Sequence, residues 1–180
     1  MSLARLVYRG GQFRKHLGSR PAPAELEDVR RILTPPQMEL FLHMQPGEQS
    51  HSLDVLHRLS EHGETPPNLQ VAALLHDVGK IRSPLRIWER AWIVLARKIA
   101  PGRFREWGAA PGGEDSLPRW QRPFIVAEQH PAWGAALALA AGCSPLAVSL
   151  ISRHQEKKPL DPQVYEDSLL AELQAVDDQS

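Results

Sequence analysis

One cysteine, no excess charge of either sign and no long apolar run narrow the field before any motif is read. Cys143 stands alone, which excludes an intramolecular disulfide and leaves no thiolate cluster for a structural zinc. That fits a reducing, cytoplasmic setting. Lys plus Arg and Asp plus Glu are both 21, so no global bias points to nucleic acid, and any phosphate-binding site must be local. No run reaches the ~18 apolar residues that a spanning helix needs, so nothing crosses a bilayer and no membrane partner is expected. The first 24 residues carry Arg5, Arg9, Arg14, Lys15 and Arg20 with no acid. They lack the apolar stretch of a signal peptide and read as a basic segment on the surface.

Strand signals are also missing. Sustained period-two runs of Val, Ile and Thr do not occur, while Pro and Gly punctuate segments of helical length. The 180 residues predict an all-α domain, long enough to bury a core without staples. A first helix is expected over Pro23 to Ile32, with Leu26, Val29 and Ile32 on one face, and a second from an N-cap at Thr34 through Met44. The part preceding residue 34 reads as a basic segment and helix flanking the domain, which occupies 34–180. A third helix follows Pro46-Gly47, Gly63 to Pro67 is a turn, and the next helix is expected to end near Gly79. From Leu85 to Ala100 the spacing of Leu85, Trp88, Trp92, Ile93, Leu95, Ala96 and Ile99 predicts an amphipathic helix whose Trp-rich stripe packs in the core rather than forming a ligand platform. Residues 101–118 read as the longest irregular stretch and the candidate lid. A short helix before His130, a new one starting at Pro131 and stopping at Gly142, one opening at Ser144-Pro145 and a last one carrying Leu169 and Leu173 complete the chain.

The apolar run Ala72-Ala73-Leu74-Leu75 closes on His76-Asp77-Val78-Gly79-Lys80, two metal-capable groups at the end of an element that must be buried. Such placement is costly unless something pairs with them. His51 shares a row with Val55 and Leu59, His154 with Leu146 and Leu150, and Asp177 with Leu169 and Leu173, so each points inward. His130 stands before Pro131. One inward histidine is ordinarily a hydrogen-bonded core residue; several on separate elements call for a metal, and nitrogen and oxygen donors without thiolate favour Zn, Mn, Fe or Mg.

These residues resemble the HD superfamily of metal-dependent phosphohydrolases. "HSLDVLHRL" and "AALLHDVGK" match its first two motifs, and the likeness runs from about Thr34 onward. The resemblance implies that His51, His76, Asp77 and Asp177 hold one divalent metal, with Asp178 the rival for the last role. "EQHPAWGAALALAAG" and "LISRHQEK" resemble the insertions of two-metal members, which implies a second metal on His130 and His154 with Asp77 bridging. A water on two cations is acidified enough to attack a phosphoester. Lys80 is implied as a phosphate partner beside Asp77 in the catalytic set, with Arg82 and Arg153 as further substrate-binding candidates; His43, His57, His62 and His16 match no motif. "RHQEKKPLDPQVYEDS" lacks the GYP signature of cyclic di-GMP phosphodiesterases, and Val78-Gly79-Lys80-Ile81 lacks the acidic pair of alarmone hydrolases. The implied activity is hydrolysis of a small phosphate ester, most simply a nucleotide; a di-iron oxygenase and a non-catalytic nucleotide-binding module are the alternatives.

Overall fold

The structure, a computed structural model, describes residues 20–109, 118–158 and 160–179. It is all-α: among these residues there is no strand, and the helices in order are α1 (Pro23–Ile32), α2 (Pro35–His43), α3 (Pro46–Glu61), α4 (Pro67–Leu75), a 3₁₀ segment (Val78–Arg82), α5 (Ile87–Ile99), α6 (Pro101–Gly108), α7 (Arg122–Ala140), α8 (Pro145–Arg153) and α9 (Tyr165–Asp177). Proline explains many of the starts. Six of these helices open on it, because the first helical residue has no intrahelical use for its N–H and proline's fixed φ already suits the helix. Side chains finish some starts: the Thr34 N–H donates to Gln37 Oε1 at 3.1 Å, and Ser144 Oγ accepts the Ala147 N–H at 3.1 Å.

Helix α4 is the axis of the molecule. Leu69, Ala72, Ala73, Leu74 and Leu75 are fully buried, and only Asn68 and Gln70 of this helix are polar. Val29 of α1, Phe41 of α2, Val55 of α3, Leu150 of α8 and Leu173 of α9 enclose it in one core. A second, smaller core joins α5, α6 and α7 through Ile93, Ala96, Phe104 and Phe124, with the Phe104 and Phe124 rings edge to face at 5.6 Å between centroids.

The structure corrects four expectations. Helix α7 runs unbroken through Pro131 instead of restarting there. Proline deprives the Ala127 carbonyl of its helical donor, but Ala127, His130, Pro131 and Gly134 are all buried, and packing holds the chain helical. Residues 101–108 are helix rather than irregular, with Phe104 anchored in the smaller core; residues 110–117 of the candidate lid lie outside the described residues, as does His16. Gly79 is no helix stop: α4 ends at Leu75, and Gly79 sits inside the 3₁₀ segment. Finally, the Trp stripe of α5 is not core. Trp88, Trp92, Leu95 and Ile99 are exposed, and only Ile93 and Ala96 of that pattern on α5 are buried.

Candidate metal centre

Where α4 gives way to the 3₁₀ segment, His76 is the last residue in the α region and Asp77 lies at φ −95°, ψ 2°, the bridge region common at functional turns. The turn is possible because Gly79 lies against α7: a Cβ there would sit 2.0 Å from the His130 carbonyl oxygen and 2.7 Å from the Gly134 nitrogen. Gly79 therefore sets the distance between Asp77 and His130. The other site residues come from α3 (His51), the C-cap of α8 (His154) and the last residue of α9 (Asp177).

Three histidines are oriented in one way. Nδ1 of His76, His130 and His154 donates to the carbonyl of Ala73, Val126 and Ile151 at 2.9, 2.9 and 2.8 Å. Those bonds fix the tautomer and leave each Nε2 with a lone pair aimed inward. The Nε2 atoms of His130 and His154 then meet at 3.2 Å, and those of His76 and His51 at 3.3 Å. The facing lone pairs of His130 and His154 repel unless a proton or a cation lies between them, and the imidazole and carboxylate donors gathered here fit a divalent metal.

The separations sort the donors into two groups. In the first, His51 Nε2 lies 2.9 Å from Asp177 Oδ1, and His76 Nε2 lies 3.6 Å from that oxygen and 3.7 Å from Asp77 Oδ2. In the second, Asp77 Oδ1 lies 3.2 Å from His130 Nε2 and 4.0 Å from His154 Nε2. Ligands about 2.0–2.2 Å from a common ion stand roughly 3–4 Å apart, which is the spacing of both groups. Asp77 faces the first with one oxygen and the second with the other. His51-His76-Asp77 and Asp77-His130-His154 each form a set able to hold an ion. Asp177, not Asp178, supplies the carboxylate that meets His51.

Burial raises the cost of charge here, and the partners decide the outcome. Burial would push the Asp77 carboxyl up, but the ammonium of Lys80, His76 and His130 together hold it well below the usual carboxylate range. Burial and the two neighbouring imidazoles push His154 down to about 3, so it is a neutral donor. Asp177 is held low against its burial by His76 and His51. His51 moves up, its own burial being outweighed by Asp177 and Asp77.

Lys80 forms an ion pair with Asp77 Oδ2. Arg82 is exposed and stacks over the Trp133 ring at 5.1 Å. Arg153 is not a free phosphate clamp: it pairs with Glu156 at 2.7 Å, with Asp167 at 2.7 Å, and with Glu166, tying α8 to α9. His43, His57 and His62 are exposed. Sequence reasoning offered residues 101–118 as a candidate lid over the site but no residue of α5. A cleft of about 800 Å³ opens over His154 and Asp177, with Arg97, Arg105, Phe104 and Lys157 among its lining. Arg97 donates to Gln155 Oε1 at 3.3 Å, and no motif marks it because it belongs to a helix read as a core stripe.

A sequence model of the HD domain matches residues 49–178. The chain belongs to the HD domain family, which consists largely of metal-dependent hydrolases and whose domains bind divalent metals. No curated protein and no solved structure matches the chain. Among the described residues no helix is long and apolar enough to cross a membrane.

Proposed function

We propose that this chain is a metal-dependent phosphohydrolase that cleaves a small phosphate ester, a nucleotide being the substrate class, with His51, His76, Asp77 and Asp177 holding one divalent ion and Asp77, His130 and His154 a second. One observation carries the reading: the two oxygens of Asp77 face separate histidine groups, and His154 of one group and Asp177 of the other line a cleft of ligand size. Fe, Mn, Zn and Mg all suit such donors. Divalent cations held there neutralise phosphoryl charge and acidify a water.

The protein's own part is to orient and to balance charge. Carbonyls lock three imidazoles with Nε2 inward. Asp77 stays ionised at neutral pH and holds the Lys80 ammonium at the site, from which Lys80 donates to a phosphoryl oxygen as charge builds in the transition state. Hydrolysis breaks the ester P–O bond; water supplies the new P–O bond and a proton to the departing alcohol. Arg97, Arg105 and Lys157 face the cleft with charge suited to a substrate's further phosphates.

The test is turnover of a phosphate-ester panel by protein loaded separately with Mn²⁺, Zn²⁺, Mg²⁺ and Fe²⁺. Phosphate release with a redox-inert ion, lost in Asp77→Asn, supports hydrolysis. Turnover requiring iron and O₂ supports an oxygenase. No turnover on any ester, with nucleotide binding unaffected by Asp77→Asn, supports a binding module.

A further inference from the structure

Helix α5 is built the wrong way round for a solvent-facing helix. Its core side is narrow: Glu89, Ile93 and Ala96. The opposite side, which should be polar, carries Ile87 (62% exposed), Trp88 (59%), Trp92 (44%), Val94 (64%), Leu95 (45%) and Ile99 (71%). At 100° per residue these fall on one contiguous face, and only Lys98 interrupts it. A contiguous exposed apolar face of this kind marks an interaction surface.

Charge decides what covers it. Between residues 84 and 109 the exposed charged side chains are Arg86, Arg97, Lys98, Arg103, Arg105 and a single acid, Glu106, although the whole chain is balanced; Arg97 and Arg105 line the cleft, which leaves Arg86, Lys98 and Arg103 for the outer side. Lys98 lies on the apolar face and Arg86 and Arg97 on its flank, so a second copy laid against it would bring like charges together. The chain's own N-terminal stretch brings further cations and no acid through residue 24. Lys98 in the middle of the apolar face suits a boundary where a long side chain lies along apolar surface and lifts its charge to an anionic layer. Tryptophan, branched aliphatics and basic flanks on one helix are the composition of an element lying in a bilayer interface.

We propose that the outer face of α5, with the basic start of α6, docks on an anionic lipid surface. The expectation of no membrane partner rested on the lack of a spanning helix, which does not bear on docking from one side. Arg97, Pro101, Phe104 and Arg105, from the same two helices, line the cleft, so docking brings its mouth close to the bilayer. The proposal is independent of the reaction at the metal centre.

Cosedimentation of the full chain with vesicles of phosphatidylcholine, with and without phosphatidylglycerol, tests it. Binding is expected only to the anionic vesicles and falls with added salt. Lys98→Glu and Arg103→Glu each weaken it at least about tenfold, at roughly fivefold per unit charge. Ile99→Ser and Trp88→Ser weaken it similarly, and Leu139→Ser, an exposed apolar residue on α7, leaves it unchanged. All five positions are exposed, so circular dichroism should show each variant folded. No binding to anionic vesicles, or binding that ignores the four α5 and α6 variants, overturns the proposal. So does a dimer in light scattering that Ile99→Ser dissociates, or selective binding to an acidic protein without vesicle binding.

Discussion

At the residue scale, Asp77 turns one oxygen toward His76 and the other toward His130, the placement that the bridging role implied by the family resemblance requires. The apolar run closing on His76-Asp77 marks a buried carboxylate needing partners, and the inward rows through His51, His154 and Asp177 name several of them. That its two oxygens face different groups was implied by the resemblance and not by local pattern, because it depends on the backbone turn at Asp77. Asp77→Asn should reduce metal content in both groups, whereas His154→Ala should deplete only the one it shares with His130; metal analysis of the purified variants checks this. Lys80→Ala should lower kcat/KM by roughly 10²-fold, the scale of a single lost oxyanion contact, while leaving metal content unchanged.

Arg153 belongs to the same scale and carries a pH prediction. Ser149 and Arg153 hold Glu166 below its ordinary 4.5, and the Asp161 N–H and Arg153 hold Asp167 below 3.8. A carboxylate with a lowered folded pKa contributes stability that is complete above the unfolded value and disappears as pH falls through the folded one. The thermal-midpoint difference between the wild type and Arg153→Gln should therefore be constant above about pH 5 and shrink below about pH 4. A difference that persists at low pH would show that Arg153 acts through packing.

At the scale of elements, most helices were legible, but α6 was read as irregular and helix context was not legible. Pro23, Pro35 and Pro46 announce their helices because proline at a first turn costs nothing. Pro131 misleads because local preference is outweighed by a buried site in α7, where His130 Nδ1 meets the Val126 carbonyl. The α5 stripe misleads differently: periodicity reports that a face is apolar, not whether this chain covers it.

The contact between the 3₁₀ segment and α7 has no slack. Gly79→Ala should destabilise by about 3 kcal/mol, the upper part of the range for overpacking, and weaken metal retention by moving Asp77 from His130. Thermal unfolding and metal titration read the two effects. Arg122 fastens the same region, reaching Glu89, Ser83 Oγ at 2.8 Å and the Pro84 carbonyl. Because Glu89 is buried, Arg122→Ala should cost about 3 kcal/mol by leaving a charge without its partner, measured by denaturant unfolding.

At the scale of the whole molecule, the site is where the chain closes on itself. His51 and Asp177 are 126 residues apart, and α3, α4, α7, α8 and α9 all contribute. Fold class was readable from the missing strand signals and the punctuated helical segments. The cleft was not, because it arises where α5 and α6 face α8 and α9, and no local pattern fixes that approach. Since the donors are gathered only in the folded chain, divalent metal should raise the thermal midpoint, by about 4 kcal/mol of stability at a thousandfold excess over Kd.

The most direct measurement is anomalous diffraction from crystals grown with Mn²⁺ or Zn²⁺. Two ions roughly 3.5–4 Å apart, one on His51, His76 and Asp177, the other on His130 and His154, with one Asp77 oxygen on each, are the predicted result. A single ion that leaves His130 and His154 unligated, or no bound ion at all, would contradict the account.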